Sequence, residues 1–152
     1  MVAHIDADGL CSAAVATRAL TAAGIDHDVR FLKTLGIEEM GKLLDENPRC
    51  AWFVDLGSGM ADNFPERPWV ISDHHTATDN GPVHHLNPLR FGHSGSEVSG
   101  AGMTWAVGRH LFEDRDLEAE LASLAIVGAV GDLQHAEKGR LYGMNRAIVE
   151  EA

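Results

Sequence analysis

The chain opens with a short apolar run that ends in two carboxylates, Val2-Ala-His-Ile-Asp-Ala-Asp-Gly9. A helical pattern follows over residues 10–23, and Gly24 supplies a C-terminal stop. Further apolar runs cover residues 29–32, 50–54, 69–71 and 84–86, and helical patterns cover residues 38–46, 100–112 and 117–130. This alternation predicts an α/β domain, with a mostly parallel β-sheet flanked by helices on both faces. A strand at residues 125–130 is the alternative to the end of the last helix, whose apolar length favours the helix.

Length and composition are those of a single soluble domain. The chain has 152 residues, 45% of them hydrophobic, which is enough to bury a core. Its formal net charge is −11, and no basic stripe of the kind used for non-specific nucleic-acid binding occurs. No apolar run approaches the ~20 residues of a membrane span, and the N-terminus lacks the features of a signal peptide. Cys11 and Cys50 fit no zinc or disulfide framework, so we expect a reduced, cytoplasmic protein.

Acidic side chains follow three of the apolar runs and the long buried pattern at residues 124–131. They are Asp6, Asp8, Asp55, Asp73 and Asp132. The carboxyl ends of parallel strands meet at one edge of a sheet, so we expect these side chains to lie in one site. Within Asp6-Ala-Asp8, an extended strand end would point both carboxylates to one face. Such a cluster would repel itself without cations, and oxygen ligands with one or two imidazoles suit Mn²⁺ better than Mg²⁺ or Zn²⁺. Two paired divalent ions would support phosphoryl transfer.

Several of these residues also have a purely structural interpretation. Asp8 precedes the first helix and could be its N-cap. The Gly57-Ser-Gly59 turn is more often a tight turn than a phosphate cradle. Cys11 is expected to pack in the interior. Five further histidines are expected at the surface or in loops: His84, His85, His93, His110 and His135.

Four motifs, in this order and at these spacings, resemble those of the DHH phosphoesterase superfamily. They are His4-Ile-Asp-Ala-Asp-Gly-Leu-Cys-Ser-Ala-Ala14, Val54-Asp-Leu-Gly57, Ser72-Asp-His-His75 and Gly131-Asp-Leu133. The compact first motif, Leu86-Asn-Pro88 and Ser99-Gly-Ala-Gly-Met103 are similar to the RecJ-type branch. The resemblance covers nearly the whole chain, residues 1–152, and implies a DHH domain.

The resemblance also implies roles for individual residues. Asp6 and His4 would bind one metal ion together with Asp132, and Asp8 and His74 would bind the other. Asp55 would bridge the two ions, which are expected to be Mn²⁺, with Mg²⁺ as the alternative. In catalysis, His75 would contact the scissile phosphate and Asp73 would orient the site. Backbone amides at Ser99 and Gly100, where a helix begins, would suit a substrate phosphate.

The function implied is a metal-dependent phosphodiesterase, in the form of a RecJ-like exonuclease that hydrolyses single-stranded nucleic acid in repair or replication. One alternative is a hydrolase of short oligonucleotides or cyclic dinucleotides, and a second is a non-catalytic scaffold in a replication complex. The family's C-terminal DHH-associated domain, with its glycine-rich motif, is absent from this sequence. The final helical pattern, residues 141–152, has no C-terminal signal, so we expect a fragment of a longer protein or one that acts with a partner protein.

Overall fold

The computed structural model describes residues 1–78 and 83–152. Its strands are β1 (Val2–His4), β2 (Arg30–Leu32), β3 (Ala51–Val54), β4 (Trp69–Ser72) and β5 (His84–Leu86). Its α-helices are α1 (Ala7–Ala22), α2 (Ile37–Glu46), α3 (Gly100–Gly108), α4 (Arg115–Gly131) and α5 (Met144–Glu151). Short 3₁₀ helices occupy Ser58–Asn63 and Pro88–Phe91. The many Gly, Pro, Asn, Ser and His residues between 76 and 98 predict loops around the strand at residues 84–86, and residues 79–82 of this region lie outside the described residues.

The five strands form one parallel sheet in the order β2-β1-β3-β4-β5. This confirms the predicted α/β class. The order makes β1, β3 and β4 neighbours, with Ala3 beside Val54 and Val54 beside Ser72. These are the three strands whose carboxyl ends carry the motif acids, so the fold brings those ends to one place.

Both faces of the sheet are covered by helices, because successive side chains of each strand point to opposite sides. On one face, Phe53 packs with Met40 and Leu43 of α2. On the other, Trp52 and Val54 pack against α1. A second layer of α3, α4 and α5 then covers α1 around a core that includes Val15, Leu121 and Ile148 (all in one hydrophobic cluster).

The elements differ from the predicted ranges mainly at their ends. Helix α1 begins three residues earlier than expected, at Ala7, because the Asp6 side chain caps it. The α4 helix runs through to Gly131, which excludes a strand at residues 125–130. Among the described residues, no helix combines the length and apolar character needed to cross a membrane.

Candidate metal centre

The side chains singled out by the sequence motifs converge at the carboxyl edge of the sheet. His4 ends β1, Asp55 follows β3, and Asp73 follows β4. Asp132 is supplied by a helix and not by a strand, since it is the C-cap residue of α4. It can approach because Gly131 packs against Ala7, where an added methyl group would overlap the alanine side chain.

The two acids of the first motif belong to a helix start and not to a strand end. Asp6 is the N-cap residue of α1, and its Oδ1 accepts a hydrogen bond from the Gly9 amide at 2.9 Å. Asp8 lies in the first turn and is buried. Its Oδ2 and Oδ1 accept hydrogen bonds from the Gly100 and Ala101 amides at 2.7 and 3.0 Å. The N-cap is therefore Asp6 rather than Asp8, and the helix start, not an extended strand, sets the directions of both carboxylates.

The predicted ligands form connected groups. Three overlapping groups bring their ligand atoms within 4.8 Å of one another: His4, Asp6 and Asp55; Asp8, His74 and Asp132; and Asp55, His74 and His75. In the second group, His74 Nε2 lies 3.4 Å from Asp132 Oδ2 and 3.6 Å from Asp8 Oδ2. Asp132 is thus grouped with Asp8 and His74, whereas the family resemblance paired it with Asp6 and His4.

Asp55 lies between the two clusters and presents one oxygen to each. Its Oδ2 is 3.5 Å from His4 Nδ1, and its Oδ1 is 3.5 Å from His74 Nε2. The residue adopts a left-handed backbone conformation, with φ of 58°, and is 1% exposed. It is packed directly against Gly100, where any side chain would overlap the carboxylate. This placement fits a carboxylate that bridges two cations.

Hydrogen bonds on the far side of the rings set the tautomers of His4 and His74. His4 Nε2 donates to the Lys33 carbonyl at 3.1 Å, and His74 Nδ1 donates to the Gly95 carbonyl at 2.7 Å. In the neutral form of each ring, the other nitrogen carries a lone pair and faces the carboxylates. This arrangement of an outer hydrogen bond and an inward lone pair is typical of metal-binding histidines.

Within residues 1–78 and 83–152, four buried atoms at the centre have no hydrogen-bond partner: His4 Nδ1, His74 Nε2 and both carboxylate oxygens of Asp55. Buried polar atoms are normally paired, because an unpaired one costs about 1–3 kcal/mol. Among the described residues, every ion pair of the clustered carboxylates is with a histidine, and none is with lysine or arginine. The donor set of carboxylate oxygens and imidazole nitrogens is able to hold divalent cations.

The pKa values follow from burial and from these contacts. Burial raises the pKa of Asp55 to about 8, although His74 partly offsets the effect. Burial also raises the pKa of Asp8, against the hydrogen bonds from Ala101 and Gly100. Burial alone would lower the pKa of His74, but Asp55, the Gly95 carbonyl and Asp8 together raise it to about 9. Without a cation to balance the negative charge, these groups therefore tend to bind protons.

Known proteins share both this fold and parts of this sequence. A crystal structure of exonuclease RecJ bound to manganese superimposes with a TM-score of 0.76 and 26% identity, over 99% of this chain and 41% of that one. RecJ from Thermus thermophilus, in complex with Mn²⁺, gives a TM-score of 0.73 and 27% identity, over 99% of this chain and 23% of that one. The chain matches a RecJ-like DHH domain. An uncharacterized protein of Methanocaldococcus jannaschii is 32% identical over 163 aligned residues.

This chain is shorter than the proteins it matches. The alignment with the Methanocaldococcus jannaschii protein covers all of this chain and 36% of that protein. No family model matches the chain.

The Asp-His-His motif contains a second buried carboxylate, Asp73, whose surroundings differ from those of Asp55. Asp73 is 1% exposed and accepts hydrogen bonds from His75 Nδ1 at 2.7 Å and from the Ser58 and His74 amides at 2.9 and 2.8 Å. Burial alone would raise the pKa of Asp73, but these donors outweigh it and hold the pKa well below its usual range. The same hydrogen bond raises the pKa of His75, whose side chain is 49% exposed. Asp73 thus fixes the orientation of the His75 ring through Nδ1, and Nε2 takes no part in this hydrogen bond.

The Gly57-Ser-Gly59 segment supports Asp73 through the Ser58 amide and is not arranged as a phosphate-binding loop. Ser58 is fully buried, and its Oγ lies 2.8 Å from both His85 Nε2 and Asn87 Nδ2. Gly57 has a φ of 112°, as a turn requires. The tight-turn interpretation is the one that fits. His85, expected as a surface histidine, is instead part of this polar cluster.

The expected phosphate contact through the amides at Ser99 and Gly100 is wrong, because the amides of the first helical turn hydrogen-bond groups of the protein itself. Ser99 is fully buried, and its amide donates to Asn145 Oδ1 at 3.2 Å. The Gly100 and Ala101 amides donate to Asp8, and the Gly102 amide donates to the Ser99 hydroxyl. The start of α3 therefore holds a carboxylate of the protein itself.

Sequence reasoning missed Gln134, which lies two residues after Asp132 and is 6% exposed. Its side-chain amide reaches Asp132 Oδ2 at 3.1 Å. The available signal was its position, as the only glutamine in the chain, directly beyond the fourth motif.

Proposed function

We propose that residues 1–152 form the metal-binding DHH domain of a Mn²⁺-dependent phosphodiesterase, an exonuclease acting on single-stranded nucleic acid. The observation that carries this proposal is a set of buried atoms that, among the described residues, have no hydrogen-bond partner and meet at the carboxylate cluster: His4 Nδ1, His74 Nε2, and Asp55 Oδ1 and Oδ2. An imidazole and carboxylate donor set suits Mn²⁺. The RecJ structures similar to this chain are described as manganese-bound.

In this proposal the two clusters each hold one divalent ion. One set is His4, Asp6 and Asp55, and the other is Asp8, His74, Asp132 and the second oxygen of Asp55. Two bound ions would neutralise phosphate charge and lower the pKa of water at the scissile bond. The α3 amides keep Asp8 oriented for this role, because they hydrogen-bond both of its oxygens.

His75 is proposed to contact the scissile phosphate. Asp73 holds Nδ1 at 2.7 Å and keeps a proton there, so Nε2 is directed away from that pair. The raised pKa of His75 favours a protonated ring, which would donate from Nε2 to a phosphate oxygen. Asp73 would act through His75, in the way that a buried carboxylate orients a catalytic imidazole.

The choice of substrate rests on likeness to RecJ exonuclease. We propose single-stranded DNA as the substrate, with a role in repair or replication in the cytoplasm. Short oligonucleotides and cyclic dinucleotides use the same phosphodiester chemistry and are the comparison substrates.

The test is Mn²⁺ titration calorimetry on the wild-type chain and on Asp55→Ala, followed by cleavage assays. We expect two Mn²⁺ per wild-type chain and a loss of affinity in the variant, because one residue serves both clusters. End-labelled single strands, duplexes, dinucleotides and cyclic dinucleotides are then compared under the same conditions. Preferential loss of terminal nucleotides from single strands supports the proposal. A wild-type chain that binds no Mn²⁺, or binds it and cleaves only dinucleotides, would contradict it.

A further inference from the structure

A buried pair of amide side chains lies behind the cluster of Asp8, His74 and Asp132. Gln134 and Asn145 are 6% and 2% exposed. Asn145 Nδ2 donates to Gln134 Oε1 at 2.5 Å, and Gln134 Nε2 donates to Asp132 Oδ2 at 3.1 Å. Neither amide was part of a sequence motif.

The surrounding groups fix the orientation of both amides. Asn145 Oδ1 accepts a hydrogen bond from the Ser99 amide, so its Nδ2 must face Gln134. Gln134 Oε1 accepts that bond, so Nε2 faces three oxygen acceptors, the Gly95 carbonyl at 3.1 Å, the Val98 carbonyl at 3.4 Å and Asp132, and it also lies 3.2 Å from His74 Nδ1. An amide turned the other way would place an oxygen against three oxygens.

The Gln134 nitrogen consequently touches the supports of two proposed ligands. It donates directly to Asp132 Oδ2, the oxygen that lies 3.4 Å from His74 Nε2. It also donates to the Gly95 carbonyl, which accepts the Nδ1 proton of His74 at 2.7 Å. Among the described residues, Gln134 is the one hydrogen-bond donor to the Asp132 side chain, which is 30% exposed.

Asn145 ties this arrangement to α5 and to the segment before α3. Its own amide donates to the Glu97 carbonyl at 2.8 Å, and its Oδ1 accepts from Ser99. Because the Gly95 carbonyl belongs to the same segment, the two amides link the start of α5 to the position of the His74 ring.

We propose that Gln134 and Asn145 are positioning residues that act as a relay, holding Asp132 and His74 in metal-binding geometry. This inference rests on the proposed function, since it concerns one of its two metal sites. Groups behind metal ligands fix their orientation, and their loss lowers metal affinity by about 10- to 100-fold. The relay serves the cluster of Asp8, His74 and Asp132 and leaves the cluster of His4 and Asp6 untouched.

The test is a Mn²⁺ calorimetric titration of Gln134→Met and Asn145→Asp in the 152-residue chain. Gln134→Met keeps the side-chain length and removes the donor. Asn145→Asp keeps the acceptor for the Ser99 amide and removes the donor to Gln134, although residue 145 touches no ligand. Each should weaken one of the two Mn²⁺ sites by about 10-fold or more and leave the other unchanged. Ile148→Val, a buried apolar change on the same helix, controls for loosened packing and should leave both affinities unchanged.

Three further outcomes separate this inference from simple misfolding and from the proposed function. Combining Gln134→Met with Asp132→Asn should cost the affected site less than the sum of the two single changes, because the hydrogen bond between these residues is lost only once. Wild-type affinity at both sites in cooperatively folded Gln134→Met or Asn145→Asp, or equal loss at both sites, would overturn the relay. A wild-type chain without Mn²⁺ binding would overturn the proposed function and the relay with it.

Discussion

Replacing Asp55 by asparagine should stabilise the metal-free chain and abolish its response to Mn²⁺. The side chain is 1% exposed, and neither of its oxygens has a hydrogen-bond partner among the described residues. Asparagine has nearly the same shape and does not ionise. The substitution therefore removes the titratable group at the centre of the site while leaving the packing against Gly100 in place.

The size of the effect follows from the pKa of the residue. Burial raises the pKa of Asp55 from 3.8 to about 8. At 1.36 kcal/mol per pKa unit, this raised pKa lowers the free energy of unfolding at pH 7 by at most about 4 kcal/mol. In the variant, the buried amide without hydrogen bonds costs about 1–3 kcal/mol, which offsets part of this gain. A net stabilisation of about 2 kcal/mol remains, which for a chain of this size raises Tm by roughly 4–8 °C.

The assay is urea and thermal denaturation of wild type and Asp55→Asn, in chelator and again with Mn²⁺. A raised pKa means that the native state binds the proton more tightly. The stabilising effect of protonation is complete below pH 3.8 and is lost as the pH rises through about 8. In chelator, the variant should lack this part of the pH dependence. With Mn²⁺ at 100 times its Kd, the wild type alone should gain about 2.7 kcal/mol per site.

Asp73→Asn is the matched control, because Asp73 is equally buried at the neighbouring strand tip. Its carboxylate accepts hydrogen bonds from His75 and Ser58, and its pKa is lowered. Its loss should destabilise the chain by about 1–3 kcal/mol with or without Mn²⁺. The reasoning is refuted if Asp55→Asn destabilises the metal-free chain as Asp73→Asn does, or if it binds two Mn²⁺ with wild-type affinity.

Three further predictions concern packing, substrate contact and pH. Gly100→Ala should destabilise the chain by about 1–3 kcal/mol in urea denaturation and weaken Mn²⁺ binding, because its methyl group overlaps a cluster carboxylate; Gly41→Ala, in an open helical position, should instead stabilise by about 1 kcal/mol. His75→Ala should abolish phosphodiester cleavage while both Mn²⁺ still bind in calorimetry, and His84→Ala, at an exposed position, should alter neither. Titrations of Mn²⁺ between pH 6 and 9 should show affinity rising with pH, since the pKa of His74 is raised to about 9 and its proton competes with the cation; constant affinity across this range would contradict that competition.

The sheet was predictable because its strands are short apolar runs followed by acids or turn residues. Strand β3, Ala51–Val54, is buried throughout, as its sequence indicates. The convergence of Asp55 and Asp73 with the first motif follows from the rule that parallel strands end at one edge. The order of strands is set by packing between distant segments, and no local pattern encodes it.

The parts of the site that sequence reasoning missed depend on contacts across the chain. An amide at the start of α3 has the same local sequence whether it faces a substrate or the Asp8 carboxylate, 92 residues away. Likewise, the grouping of Asp132 with Asp8 and not with Asp6 is decided by how α4 packs on α1. Within its own stretch of sequence, Gln134 contacts Asp132. Its remaining side-chain contacts come from α5 and from the segment before α3, which no local pattern places beside it.

The two buried aspartates show why this site should need cations to be stable as well as active. Asp73 has its charge satisfied by protein donors, so its geometry is fixed by the fold alone. Asp55 has no such hydrogen-bond donors in the described part of the chain, and its neighbours with positive charge are histidines, which lose that charge as the pH rises. Adding a lysine or arginine would relieve the repulsion but would occupy the position that a divalent ion needs. A chain that pairs its central carboxylate with histidines alone therefore gives up stability in the metal-free state in exchange for affinity, the trade-off expected of a functional site.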